Sequence, residues 1–246
     1  MSPEAELRAA LEAAPTPPRL WWRDDDAGRD HPRLDQLLAL AQSHDLPIGL
    51  AIVPEWLEAD CIARVQACPQ ATVLQHGIAH ENHGWWWQKT VELGGRAPTD
   101  ALGAGLKRGL ERLRAAFGGS RFLPMLVPPW NRIAPRLVPT LPALGFTGLS
   151  TYGGRSSCEP VPGLRQVNTH LDLIAWREDG RPLSFDEAAR GLAALIRARP
   201  HEPIGILSHH LVSDDGAFAV LDRLLEVLQD RGGPGLCAPA SLLGRA

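Results

Sequence analysis

The segment RLWWRDDDAG, residues 19–28, runs from an apolar stretch straight into three consecutive aspartates. Three other apolar runs also end in polar clusters, namely HGIAH at 76–80, PPWN at 128–131 and LSHH at 207–210. The carboxyl ends of parallel strands meet at one end of a barrel, so we expect these clusters to converge on one site. Carboxylates and imidazoles together suit a divalent metal and hydrolytic chemistry.

Along the whole chain, apolar runs alternate with amphipathic segments of helical length, which favours an α/β fold with a parallel sheet. The predicted strands are 19–23, 48–53, 71–75, 122–127, 146–150, 164–167 and 204–207. The predicted helices are 32–43, 55–67, 99–117, 135–144, 184–197 and 217–230, and Ser184 with Glu187 forms a capping-box pattern. Strands and helices in this alternation predict either a barrel or a doubly wound sheet.

The charge composition of the chain indicates what kind of molecule the protein binds. The 246 residues include 25 Lys and Arg and 28 Asp and Glu, a net charge of −3 with both signs interspersed. We therefore expect no nucleic-acid and no membrane partner, and instead a small-molecule or glycan substrate. The absence of a signal-peptide pattern and of a long apolar stretch predicts a soluble, cytoplasmic protein, and four scattered cysteines are expected to be reduced. The oligomeric state has no signature in the sequence.

The expected organisation is simple. Residues 1–18 are predicted to be an N-terminal helix, at 3–14, followed by a proline-rich lead-in, and residues 19–246 are predicted to be one domain. The 22 prolines are spread along the chain and mark no boundary within it.

The three aspartates, Asp24, Asp25 and Asp26, would repel one another unless a cation or hydrogen-bond donors offset their charge. One carboxylate on a metal and a free neighbour can act as ligand and general base. The alternative is a loop in which one aspartate caps the next helix.

The two histidines of HGIAH, His76 and His80, can chelate one metal through neutral imidazoles, either on a helical face or in a tight turn that Gly77 favours. The alternative is a pair of loop histidines that bond to backbone carbonyls. His83 is a further candidate for binding substrate or metal.

Three tryptophans at 85–87 follow. We expect two of them to pack over the barrel rim and one exposed indole, Trp85, to offer a platform for a sugar ring. In PPWN, two prolines fix the backbone, so the N–H of Trp130 is a candidate oxyanion donor, although a plain strand-ending turn is the alternative.

His209 lies where a general acid could protonate a leaving group, and His210 is its rival. Asp172 and His170, in the segment THLD, could orient that histidine and raise its pKa. A polar loop is the alternative interpretation of THLD.

Taken in order, these clusters resemble the motifs of the polysaccharide deacetylases, carbohydrate esterase family four, over residues 23–210. The family motifs are Thr-Phe-Asp-Asp-Gly, His-Ser/Thr-x-x-His, Arg-Pro-Pro-Tyr-Gly and Leu-x-His. The resemblance implies an α/β fold, a single-domain distorted (β/α) barrel with about seven parallel strands. It implies Asp25 as base, His209 as acid, the Trp130 N–H as oxyanion donor, and Asp26, His76 and His80 as metal ligands. Candidates for substrate contact are Asp24, His83, Trp85, Asn131, Asp172 and His210.

Two departures from the family pattern concern the metal-binding motifs. Ala27 stands where the family has glycine, which leaves open a register that uses Asp24 and Asp25. Gly77 stands where the second motif has Ser or Thr.

Two further departures concern the groups around the base and the acid. Val127 stands in place of the arginine that pairs with the base, which leaves Arg23 or Arg132 as substitutes. Asp172 with Trp176 matches an aspartate-tryptophan motif only loosely.

The activity implied by the resemblance is metal-dependent removal of an acetyl group from an N- or O-acetylated carbohydrate or sugar intermediate. Zinc is the preferred metal, with cobalt or nickel as alternatives. Two other functions stay open: a cytoplasmic amidohydrolase that opens a small cyclic amide, and a non-catalytic carbohydrate-binding barrel.

Overall fold

The apolar runs of the sequence form one parallel sheet. In the computed structural model, which describes residues 1–230 and 235–244, the strands are β1 (Leu20–Ala27), β2 (Ile48–Ile52), β3 (Ala71–His76), β4 (Phe122–Val127), β5 (Gly148–Leu149), β6 (Arg165–Gln166), β7 (Thr169–Asp172), β8 (Ile174–Ala175), β9 (Arg181–Pro182) and β10 (Ile204–Ser208). The order across the sheet is β6-β5-β4-β3-β2-β1-β10-β7, and β8 and β9 form a separate antiparallel pair.

The sheet curls into a distorted barrel. The consecutive strands β6 and β7 lie at the two opposite edges of the strand order. β6 pairs with β5, whereas β7 pairs with β10 at the opposite end of the strand order. The N–H of Thr169 donates to the Thr151 carbonyl at 3.0 Å, and the Thr169 carbonyl accepts from the Gly153 N–H at 2.7 Å. The predicted α/β barrel is confirmed, with an eight-stranded sheet where about seven strands were predicted.

Helices pack around the sheet. They are α1 (Pro3–Glu12), α2 (Pro32–Ser43), α3 (Ala59–Ala67), α4 (Thr99–Arg121), α5 (Leu141–Leu144), α6 (Phe185–Ala198), α7 (Asp215–Gln229) and α8 (Pro239–Leu242). The Ser184–Glu187 capping box is present at the start of α6. The segment predicted as a helix at 135–144 forms a 3-10 helix, Pro135–Thr140, before α5, because Pro139 cannot donate an α-helical hydrogen bond.

Alternation along β1 separates two apolar cores. Leu20 and Trp22 pack into the large core between sheet and helices, and Trp21 packs into a smaller core that includes Val127 and Leu242 of α8. Successive strand residues point to opposite faces, so the residues that follow Trp21 at intervals of two lie on its face of the sheet. That alternation decides where each aspartate of β1 points.

The N-terminal helix α1 packs against α6 and buries Leu7 completely in the large core. Among the described residues, the helices are too short or too polar to cross a lipid bilayer. The four cysteines are unpaired; Cys61 and Cys68 are buried, whereas Cys158 is exposed.

Candidate active site

The polar clusters lie at the carboxyl ends of the strands. Asp26 lies near the end of β1, His76 is the last residue of β3, Asp172 is the last residue of β7, and His209 follows β10 directly. The 3-10 helix Pro129–Asn131 follows β4. This end of a parallel barrel is where loops and strand ends build catalytic sites.

Asp26, His76 and His80 form a group whose ligand atoms all lie within 4.8 Å of one another. Nε2 of each histidine lies 3.1 Å from Oδ1 of Asp26. Ligand atoms around a tetrahedral zinc, with bonds of about 2.0 Å, are separated by roughly 3.3 Å. Asp26 Oδ1 is buried and accepts no aligned hydrogen bond from the described residues, so a cation between these three atoms would satisfy it. The donor set therefore fits a divalent metal.

The backbone at the site adopts the left-handed region at four residues that are not glycine. These φ angles are 72° for Asp26, 60° for His80, 54° for Trp130 and 57° for Asn131. Such conformations cost free energy and persist where surrounding contacts enforce them. At Asp26 the turn coincides with a register shift between β1 and β2, which lets two consecutive aspartates face the same site.

Burial raises the pKa of Asp26, but the close imidazoles of His76 and His80 outweigh it and hold the pKa well below its usual range. The carboxylate is therefore ionised at neutral pH, as a metal ligand must be.

Arg23 and Asp25, two residues apart in β1, form a buried ion pair. Nε of Arg23 lies 2.8 Å from Asp25 Oδ1, and Nη2 donates to Oδ2 at 2.9 Å. The same guanidinium donates to Ser150 Oγ and to Asn131 Oδ1, both at 2.6 Å. Of the two candidates for the arginine missing at Val127, Arg23 thus occupies the position beside the predicted base. Arg132 instead donates to the carbonyl and hydroxyl of Thr90.

Asp24 and His210, both candidates for substrate contact, lie inside the protein. Their side chains are completely buried and paired through His210 Nδ1. Asp24 Oδ2 also accepts from the Ser208 hydroxyl at 2.6 Å, and that hydroxyl accepts from the Trp22 indole at 2.9 Å. This network joins β1 to β10 on the helix-facing side of the sheet, opposite Asp25.

His209 lies near the carboxylate of Asp172, with 3.6 Å between His209 Nδ1 and Asp172 Oδ1. Asp172 also accepts from the indole N–H of Trp176 at 2.9 Å, and the Trp176 ring packs edge-on against His209. Burial lowers the pKa of His209, but Asp172, followed by the charges of Asp25 and Asp26, outweighs it and raises the pKa to about 9. His209 therefore carries a proton at neutral pH.

The long segment between β3 and α4 holds the other predicted candidates. His83 is anchored by its Nδ1, 2.7 Å from the Glu92 carbonyl oxygen. The expectation that two of the tryptophans pack over the rim is wrong, because Trp85, Trp86 and Trp87 are 44%, 90% and 61% exposed. They pack on one another instead: Trp85 and Trp87 stack with ring centroids 5.2 Å apart.

Several residues at the site carried no recognisable signal in the sequence. Trp56, from the 3-10 helix Pro54–Trp56, packs on the His80 ring, and the Arg29 guanidinium lies 4.2 Å from the centroid of Trp56. The predicted Trp130 also packs on His80, at 4.4 Å between ring centroids. Ser150 could have been noticed because it ends a predicted strand, whereas Trp56 and Arg29 are brought in by the fold alone.

No protein-family model and no curated protein sequence matches this chain. Solved structures do match in fold. A candidate polysaccharide deacetylase from Mycobacterium smegmatis superposes with a TM-score of 0.66 at 16% identity, covering 86% of this chain and 76% of that one. A peptidoglycan N-acetylglucosamine deacetylase in complex with an N-hydroxybenzamide superposes with a TM-score of 0.62 at 15% identity, covering 93% and 89%.

A third similar structure is a pseudoenzyme of carbohydrate esterase family four from Bacillus anthracis. Its TM-score is 0.59 at 14% identity, and the match covers 93% of this chain and 66% of that one. At such identities the likeness establishes that the chain has the fold of this family, and the fold alone does not decide activity.

Proposed function

We propose that the chain is a divergent member of carbohydrate esterase family four, a metal-dependent hydrolase that removes an acetyl group from an N- or O-acetylated carbohydrate. The observation that carries the proposal is the convergence of Asp26, His76 and His80, with Asp25 and His209 at adjacent strand ends. The fold shared with deacetylases supports the substrate class.

Asp26, His76 and His80 would hold the metal, with zinc preferred and cobalt or nickel as alternatives. A bound divalent ion supplies Lewis-acid chemistry: it polarises the acyl carbonyl and lowers the pKa of water. Two neutral imidazoles and one carboxylate would leave open positions for water and substrate, as in catalytic zinc sites.

Asp25 would accept the proton of the attacking water. Its two oxygens face Arg23 Nε and Nη2, which fixes the orientation of the carboxylate. Asp25 is preferred over Asp24 because the Asp24 carboxylate is fully buried and occupied by Ser208 and His210.

His209 would donate the proton that the leaving amine or alkoxide needs. It is protonated at neutral pH, whereas His210 is sealed within the protein. The backbone N–H of Trp130 would donate to the oxyanion, since the 3-10 turn and its flanking prolines hold that peptide rigidly. Asn131 would assist indirectly by binding Arg23.

The stacked tryptophans, with the Arg96 guanidinium 5.2 Å from the centroid of Trp85, would offer aromatic surface to a sugar ring. Trp86, at 90% exposed, has the most free surface of the three. His83 lies on the same segment and would contact substrate only through its remaining ring nitrogen, because Nδ1 is bonded to the Glu92 carbonyl.

The first experiment is elemental analysis of the purified protein beside His76→Ala and Asp26→Ala, with His201→Ala as the matched control at an exposed histidine. We expect about one divalent ion per chain in the native and control proteins and a large loss in both site variants. A native protein that takes up no zinc, cobalt or nickel would contradict the metal site.

The second experiment is release of acetate from N-acetylated and O-acetylated oligosaccharides, with small cyclic amides tested in parallel. Hydrolysis of the cyclic amides alone would favour the amidohydrolase alternative. Because a pseudoenzyme shares this fold, a non-catalytic carbohydrate-binding barrel is the second candidate, and the exposed tryptophans favour it as much as they favour an enzyme. Metal-independent oligosaccharide binding without any turnover would identify that function.

A further inference from the structure

The Glu92 carboxylate is buried beneath the segment that joins His76 to His80. Glu92 is only 1% exposed. Oε2 accepts from the Ile78 N–H at 2.9 Å, and Oε1 accepts from the Ala79 N–H at 2.7 Å and the Glu81 N–H at 3.3 Å. One carboxylate thus satisfies three backbone donors within and just beyond the segment 77–80.

These donors need such an acceptor because, among the described residues, the N–H groups of Ile78, Ala79 and Glu81 have no backbone carbonyl to bind. Gly77 and His80 both have positive φ angles, 57° and 60°, so the backbone of this segment is neither a strand nor a helix. An unpaired buried N–H costs about as much as a lost hydrogen bond. The Ala79 and Glu81 N–H groups that Glu92 binds lie directly on either side of His80, whose Nε2 is 3.1 Å from Asp26 Oδ1.

Glu92 is itself held in place by its neighbours. Its carbonyl oxygen lies 2.7 Å from His83 Nδ1. The next residue, Leu93, is fully buried and bridges to Ile133, and its carbonyl accepts from the Ala134 N–H at 2.8 Å. The carboxylate is therefore fixed against the segment that follows β4.

The lack of a side chain at Gly77 leaves the space that the Glu92 carboxylate fills. A Cβ atom at position 77 would lie 2.0 Å from Glu92 Oε2 and 2.5 Å from Cδ of Pro129. A side chain at 77 and the carboxylate of Glu92 cannot both be present in this arrangement. The departure of Gly77 from the Ser or Thr of the family motif is thus coupled to Glu92.

We propose that Glu92 is a positioning residue for the metal site: by bonding to the backbone of 78–81 it sets the separation and orientation of His76 and His80. This inference rests on the proposed metal site. It predicts that Glu92 controls metal affinity although it binds no metal itself.

The test is the dissociation constant for Zn²⁺, from competition with a chelator, and for Co²⁺, from its visible absorption, in Glu92→Gln and the native protein. Glutamine keeps one acceptor oxygen but turns an NH₂ group toward backbone N–H donors. We expect metal affinity to fall about 10- to 100-fold, with a changed Co²⁺ spectrum. The matched control is Glu81→Gln, which removes the same charge from an exposed position of the same segment and should bind metal like the native protein.

The measurement separates this role from a merely structural one. Affinities are compared at a temperature where circular dichroism shows both proteins folded, and a structural role alone would lower Tm without changing the dissociation constants. If Glu92→Gln does not fold, Glu92→Asp, which keeps the charge on a shorter side chain, is measured in its place. A folded Gln or Asp variant that binds both metals as the native protein does would overturn the inference, whereas absence of metal binding in the native protein would overturn the proposed function.

Discussion

At the scale of single residues, the site depends on a pairing within one strand. Residues two apart in a strand share a face, so Arg23 and Asp25 lie side by side on the face that carries Trp21. The guanidinium is fully buried and donates hydrogen bonds to Asp25, Asn131 and Ser150. Removing one member of such a buried pair leaves an uncompensated charge, which costs about 3–5 kcal/mol.

Asp25→Asn tests the assignment of the base. Asparagine cannot accept the proton of water, so we expect turnover to fall about 10²- to 10⁴-fold while metal content is retained. Stability should also fall, because Arg23 loses its counter-ion, and the free energy of unfolding is measured alongside. Asp24→Asn is the matched variant and should keep substantial turnover. Full activity in Asp25→Asn would exclude Asp25 as the base, and loss of activity confined to Asp24→Asn would identify Asp24 instead.

Asp172→Asn tests the environment of His209. The Asp172 carboxylate, 3.6 Å from His209 Nδ1, favours the protonated imidazole, so its removal should lower the pKa of His209 from about 9. The imidazole signals of His209, followed by NMR across a pH titration, should shift at lower pH in the variant. The alkaline limb of the rate profile should move to lower pH by the same amount. A titration unchanged by the substitution would show that Asp172 does not tune the acid.

The sequence identified most of these residues but could not choose among neighbours. The alternation of side chains along β1 puts Asp24 and Asp25 on opposite faces of the sheet. The sequence does not show that the face that carries Trp21 is the one that lines the interior of the barrel. Both Arg23 and Arg132 were open as partners of the base, and three-dimensional contacts decide between them. Glu92 had no local signal, since its role exists only once the segment between β3 and α4 has folded back.

At the scale of elements, the site depends on how strands end. β1 continues to Ala27 through a register shift, and β3 ends at His76 where Gly77 turns the chain. The predicted strands were found because buried parallel strands give continuous apolar runs. The sequence did not predict β7, because three of the four residues in THLD are polar. In the structure these polar side chains contact neighbouring residues on the two faces of the strand rather than solvent. The helix predicted at 135–144 was wrong in type over Pro135–Thr140, which is a 3-10 helix, because the apolar periodicity was followed without regard to Pro139.

Gly77→Ala tests the turn that follows β3. The residue has φ of 57°, and an added Cβ would meet Glu92 Oε2 at 2.0 Å and Pro129 Cδ at 2.5 Å. We expect a loss of about 1–3 kcal/mol in the free energy of unfolding, measured by denaturant titration, together with weakened metal binding. Gly119→Ala is the control, because nothing lies within 4 Å of a Cβ there, and it should change stability little. Equal stabilities for the two variants would contradict this account of the turn.

At the scale of the whole molecule, the barrel depends on contacts that join distant parts of the chain. His170 of β7 is buried, and its Nδ1 accepts from the Gly205 N–H of β10 at 3.3 Å. That bond requires an unprotonated Nδ1. Burial lowers the pKa of His170, and the positive charges of Arg199 and Arg155 lower it further. The Glu202 carboxylate raises the pKa but does not compensate, so the pKa of His170 is about 4.

This lowered pKa makes stability depend on pH. The unfolded chain binds a proton at His170 near the ordinary value of 6.5, but the folded chain does so only near pH 4. The stabilisation is therefore present above pH 6.5 and is lost as pH falls from 6.5 to 4, by about 1–2 kcal/mol between pH 7 and pH 5. In His170→Gln, urea titrations at these two pH values should show a smaller difference in the free energy of unfolding by that amount, whereas His201→Gln, at an exposed histidine, should match the native protein. An unchanged pH dependence in His170→Gln would mean that His170 is protonated equally in the folded and unfolded chains, and that closure of the barrel at β7 does not depend on its neutral form.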